Sequence, residues 1–260
     1  MGVIRTDQWL KESFDKPEEL IKPLLTDFNE DDSHKLYAFL ETFGMYSPNR
    51  RSKKIFDQLV EKDSWETVER LHKKYKKKWQ GPDVPIYIFP IAAGGIFSDW
   101  HGGMKSGLSF SDKIFLFLPV LQDEKELEAL FVHEYHHVCR INKQQKTINQ
   151  FNLLDSIVLE GLAEYAVEMN CGKQYRSKWC TKFTRDEIEE YWNRYVKDHL
   201  DVKKNKRVHD QVLFGGKRYP RMLGYSVGYE IISIFREREV LTIKNSFILE
   251  AEKFLPKFKK

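Results

Sequence analysis

The feature that most limits what this chain can fold into is Phe131-Val132-His133-Glu134-Tyr135-His136-His137, two histidines four positions apart inside an apolar-periodic run. Leu127, Leu130, Phe131, Val138 and Cys139 recur around it at helical spacing. Asp123 suits an N-cap, and Glu124 and Glu126 fall in the first turn, where carboxylates complement the helix dipole. The pattern predicts a helix from Asp123 to about Arg140. Four residues on a helix make one turn plus about 40°, so His133 and His137 project from one face. Both imidazoles then reach one zinc ion at about 2 Å. Glu134, about 100° around the axis from His133, faces a water at such an ion instead of the ion, the position a general base needs.

A catalytic zinc takes a third protein ligand and keeps an open position. Leu159-Glu160-Gly161-Leu162-Ala163-Glu164-Tyr165 offers two carboxylates one turn apart on a second predicted helix, about Phe151 to Met169. Glu160 sits among Leu153, Leu154, Ile157, Val158 and Leu162, where a lone charge is costly and a metal would compensate it. Glu164 is placed to accept a hydrogen bond from the far nitrogen of a ligating histidine. His136 lies on a different face from His137 and reads as a residue beside the site or at the surface.

Elsewhere, residues 1 to about 80 read as helical, with breaks at Pro17, Pro23 and Gly44–Pro48 and one long helix over Lys53–Trp79. The basic run Lys73–Lys78 on that helix reads as a solvated face, with nucleic-acid or anionic-membrane binding as its alternative. Strands are expected over Val84–Ile91 and Lys113–Val120, with a glycine-bearing stretch between them (Gly94, Gly95, Gly102, Gly103, Gly107). Two more helices are expected over Asp186–His199 and Tyr225–Glu237, joined by a basic loop or hairpin, Val202–Arg221.

Composition narrows the function classes. With 41% hydrophobic and 14% aromatic residues the chain is a folded globule, and 43 basic against 39 acidic residues leave a charge of +4, which calls for no nucleic-acid partner. No apolar run reaches the ~18 residues of a membrane helix, and the first residues lack the apolar centre of a signal peptide. Cys139, Cys171 and Cys180 form no CxxC pair, which suits reduced thiols and a cytoplasmic location.

The pairing of His133-Glu134-x-x-His137 with Leu159–Tyr165 resembles the gluzincin zinc metallopeptidases, in which HExxH is followed by a glutamate ligand on the next helix. LEGLAEY is similar to the matching segment of their aminopeptidase branch. More narrowly, the chain resembles a bacterial family described as predicted zinc-dependent proteases, over roughly residues 80–240. The resemblance implies an α+β, mostly helical, zincin-like fold with a small sheet. Residues 81–260 would form the catalytic domain and residues 1–80 a helical region packing on it. It also implies one zinc ion on His133, His137 and Glu160, Glu134 as general base, and a peptide or protein substrate. An edge strand before the metal helix would pair with substrate backbone, and Gly102–Phe110 occupies that position. Tyr225 is the residue expected to stabilise the oxyanion, with Tyr229 and His209 as alternatives. The interval from HExxH to the glutamate is longer than in aminopeptidases, and the acidic residues that grip a substrate amine are missing, so aminopeptidase specificity is not implied. Two other functions compete: a zinc-binding or stress-related protein without catalysis, and a binding module built on the Lys73–Lys78 helix.

Overall fold

A computed structural model describes residues 2–92, 106–147, 150–216 and 218–256. Gly94, Gly95, Gly102 and Gly103 therefore lie outside the described residues. The chain is mostly helical with one three-stranded sheet, and it divides into two compact units, Met1–Glu134 and Tyr135–Lys260. No helix among the described residues is long and apolar enough to cross a membrane.

The first unit opens with α1 (Thr6–Ser13), α2 (Pro17–Leu20), α3 (Leu25–Phe28) and α4 (Ser33–Thr42). The single helix expected over Lys53–Trp79 is two, α5 (Arg50–Glu61) and α6 (Ser64–Trp79). Asp63 takes a left-handed conformation (φ 49°) between them, a turn that neither proline nor glycine announces. Asn49 and Ser52 close a reciprocal capping box at the start of α5. Along α6 three lysines of the basic run have acidic partners: Lys73 pairs with Glu69 at 3.0 Å, Lys74 with Glu128 at 2.6 Å and Lys76 with Asp83 at 2.7 Å.

The sheet comprises β1 (Ile86–Pro90), β2 (Ser106–Ser109) and β3 (Ile114–Leu118), in the order β1-β3-β2. β1 runs parallel and β2 antiparallel to β3. Every residue of β1 and β3 is buried, as their continuous apolar runs require. The outer side of β1 is bridged by Val3, whereas β2 is an edge strand. It falls within Gly102–Phe110, where the resemblance implied an edge strand, although Ser-Gly-Leu-Ser carries no β-branched residue to announce one.

The helix α7 (Glu124–Gln144) begins in the first unit and ends in the second. The second unit continues with α8 (Leu153–Cys171), α9 (Arg185–Tyr191, extended by a π turn and a 3-10 turn to His199), α10 (Arg207–Phe214), α11 (Leu223–Arg236) and α12 (Ile243–Ile248). Much of the segment expected as a basic loop is thus helical: α10 buries Val212, Leu213 and His209. Helices α8 and α11 meet backbone to backbone at Gly161 and Gly228. A methyl on Gly161 would stand 2.2 Å from the Gly228 carbonyl oxygen, and one on Gly228 would stand 2.1 Å from that of Ile157. Cys139, Cys171 and Cys180 are free.

Candidate metal centre

His133, Glu134 and His137 all lie on α7, and each is more than nine-tenths buried. Glu160 lies on α8, whose start is fixed by a capping box between Asn152 and Asp155. The Glu160 side chain is 13% exposed, and its Oε2 stands 3.6 Å from Nε2 of His137. One ligand atom from each of His133, His137 and Glu160 lies within 4.8 Å of the others. Two donors bound tetrahedrally at about 2.0–2.2 Å are about 3.3–3.6 Å apart, so the His137–Glu160 pair already has the separation zinc requires. Two neutral imidazoles and one carboxylate are also a donor set that leaves a zinc position open. The residues fit the ion.

Glu134 faces the edge strand. Ser109 Oγ stands 2.6 Å from Glu134 Oε2 and 3.0 Å from the Glu134 carbonyl oxygen. Its single proton serves one of these acceptors at a time. A methyl on Gly107 would fall 2.4 Å from the carboxyl carbon and Oε1 of Glu134. Gly107 and Ser109, two apart on a strand, share a face. One leaves room for the carboxylate, and the other holds it. The glycine was expected to admit a substrate; its contact here is with Glu134. Ser109 was missed, although the alternation Gly107-x-Ser109 before the metal helix was its one signal in the sequence.

The remaining expected residues are distributed as follows. Glu164, one turn beyond Glu160, is buried and accepts hydrogen bonds from Ser177 N–H (2.7 Å), Ser177 Oγ (2.9 Å) and Cys180 Sγ (3.5 Å). Tyr225 lies near the start of α11, its ring edge-on to Trp179 at 5.1 Å and tilted against Phe214 at 5.8 Å. Tyr229 donates its hydroxyl proton to Glu168 at 2.8 Å, and the Arg176 guanidinium covers its ring. His209 is fully buried, with Nε2 2.9 Å from Ser156 Oγ and Nδ1 2.8 Å from Asp210. The Tyr229 hydroxyl and both His209 nitrogens are thus engaged inside the protein.

His136 is not at the surface. It is fully buried, its Nε2 2.9 Å from Ser246 Oγ and its ring tilted against Phe247. One and two turns further, Arg140 Nη1 donates to the Ser246 carbonyl at 2.6 Å and Gln144 Nε2 to the Leu249 carbonyl at 2.9 Å. Arg140 and Gln144 thus occupy carbonyls at the C-terminal end of α12, which the helix itself leaves open, while His136 meets the Ser246 hydroxyl. Burial lowers the Arg140 pKa to about 10.

Comparison with known proteins agrees with this geometry. The chain is 34% identical over 257 residues to a Bacillus subtilis (strain 168) protein named "Uncharacterized protein YjaZ", covering 98% of both chains. A second protein of that organism, "Uncharacterized protein YjfC", is 25% identical over 136 residues, 48% of this chain and 45% of the relative. No solved structure matches. A family profile matches residues 64–256, a stretch that holds both α7 and α8 and all three side chains of the cluster. The chain belongs to the family described as "Predicted Zn-dependent protease (DUF2268)".

Proposed function

We propose that the protein is a zinc-dependent peptidase of the gluzincin type with a zincin-like catalytic fold. The observation that carries this reading is the convergence of His133, His137 and Glu160, with Glu134 between the two histidines in sequence and held by Ser109. One zinc ion would be held by His133, His137 and Glu160. When bound, zinc supplies a Lewis acid that acidifies a water and polarises an amide carbonyl. Glu134 takes a proton from the attacking water and delivers it to the departing amine, so it ends the cycle as it began. Ser109 holds Oε2 meanwhile, which leaves Oε1 for the water. Tyr225 donates its hydroxyl proton toward the carbonyl oxygen as negative charge gathers there. The free thiols and the absence of a membrane-crossing helix among the described residues support action in the cytoplasm.

Metal analysis by mass spectrometry tests the ligand set. The wild type should hold about one zinc per chain, and His137→Ala and Glu160→Ala should hold little. Glu134→Gln should keep its zinc and lose peptide hydrolysis by about 10²–10⁴-fold. A wild type that takes up no zinc after loading refutes the reading. A zinc-loaded wild type that cleaves no peptide, with Glu134→Gln indistinguishable from it, favours a zinc-binding protein without catalysis.

A further inference from the structure

Two helices of the first unit begin at a recess that the chemistry above does not use. The turn at residues 62–63, between α5 and α6, and residues 119–122, between β3 and α7, border about 240 Å³ of space. Leu59, Leu118, Pro119, Leu121 and Leu127 supply its apolar wall. An apolar cavity of about 150 Å³ holds a benzene molecule, so this recess has room for an aliphatic body of about eight non-hydrogen atoms.

The polar part of the lining is short of acceptors. Ser64 and Thr67, three residues apart, share a face at the start of α6, and both border the recess. Ser64 is 5% exposed, yet its hydroxyl makes no hydrogen bond among the described residues. A hydroxyl set that deeply is normally satisfied, and the recess is the open space beside it. The start of α6 also lacks a cap: Asp63 stands at the N-cap position with φ 49°, and its side chain accepts no N–H there. The first amides of α6 therefore lack the side-chain oxygen that usually meets them. At α7 that place is filled, since Asp123 Oδ1 accepts from Lys125 N–H at 2.8 Å. Charge points the same way. Lys62 uses one of its three ammonium protons on the Leu121 carbonyl, at 2.8 Å, and has no carboxylate partner among the described residues. Glu124, also in the lining, is paired with Arg70 at 2.5 Å, and Arg70 donates to Thr67 Oγ1 at 3.3 Å. With Glu124 balanced, Lys62 leaves the recess a positive charge in excess.

We infer that this recess binds an aliphatic carboxylate. The carbon body lies against the leucine wall, and the carboxylate accepts from the Ser64 hydroxyl and the uncapped start of α6, with Lys62 as counter-charge. A bare inorganic anion would leave the apolar wall wet, and a neutral apolar molecule would leave the hydroxyl and amides unmet. The carboxylate belongs either to a free acid or to the C-terminal residue of a peptide, and the two are separable by experiment. Nothing in this assignment depends on zinc or on the peptidase reading.

The test is a ligand-detected NMR titration of the full chain with four probes: isocaproate, isocaproamide, inorganic phosphate and acetyl-glycyl-leucine. At least one of the two organic carboxylates should bind about tenfold more tightly than the amide and than phosphate, and the tighter of the two identifies the source. Ser64→Ala should weaken that binding by about three- to tenfold. Lys62→Glu, at an exposed position that does not bear on folding, should abolish the preference for the carboxylate over the amide. Lys54→Glu changes the net charge equally at an exposed residue of α5 outside the lining, and should preserve the preference. Because carboxylates also bind zinc, the titration is repeated on His137→Ala, where the affinity should be the same. Loss of binding in His137→Ala assigns it to the metal centre and overturns the site. So do an amide or phosphate that binds as well as the carboxylates, no saturable binding of either carboxylate, and a preference that survives Lys62→Glu.

Discussion

Gly107 and Ser109 meet the Glu134 carboxylate from one face of β2, and each contact makes a separate prediction. Gly107→Ala places a methyl 2.4 Å from the carboxyl carbon, so the side chain must move by about an ångström to regain ordinary contact. A displacement of that size costs about 10²-fold in catalysis, whereas zinc content should be unchanged because the three ligand side chains are untouched. Ser109→Ala removes one hydrogen bond to a charged group and should reduce kcat by about tenfold, with Ser109→Thr restoring most of it. A Gly107→Ala protein that loses its zinc would show that the glycine supports the ligand set instead. The general base itself was legible from the sequence, because Glu134 adjoins a ligand on a helix of known pitch. Its support was not. A contact 25 residues away leaves no periodic trace.

At the scale of elements, the Gly161–Gly228 contact sets the distance between the helix that carries Glu160 and the helix that carries Tyr225. Either glycine replaced by alanine drives a methyl into a backbone carbonyl, and the helices must part. Overpacking of this kind costs about 1–3 kcal/mol, readable as a lower urea midpoint with an unchanged slope. A variant as stable as the wild type would show that α8 and α11 slide freely past the added methyl. The helices α7 and α8 could be read from the sequence because apolar periodicity, caps and ligand spacing agree there. Elements were missed where those signals are weak. The break between α5 and α6 rests on a left-handed Asp63, and α10 hides in a run of cations with no N-cap side chain.

On the whole-molecule scale, the acid limit of stability traces largely to carboxylates such as Glu128. Burial alone would raise its pKa, but hydrogen bonds from Lys125, Lys74 and Tyr75 outweigh that and hold it at about 2, below the usual 4.5. Between those values the unfolded chain binds the extra proton. The stabilisation is therefore complete above about pH 4.5 and is lost as pH falls toward 2. Solvent screening around the exposed Lys74 and Lys125 ammoniums keeps the contribution below the ~3 kcal/mol of the full shift. Glu128→Gln should flatten that limb of the stability curve, as followed by denaturant melts from pH 6 to 3, and an unaltered limb would place the dependence elsewhere. The mixed, mostly helical class of the fold was visible in the change of periodicity near Gly81-Pro82. The pairing of Lys74 with Glu128 and of Lys76 with Asp83 was not, since those partners lie outside the helix.

The hydrogen bonds from His136, Arg140 and Gln144 to α12 also bear on timing. Arg140 and its acceptor on Ser246 are 106 residues apart, so a ribosome must add all of those residues before that buried guanidinium finds its carbonyl. A nascent chain released early would carry the HExxH helix with its back unsupported. The back of the helix that carries His133 and His137 is thus secured only after α12 has been made.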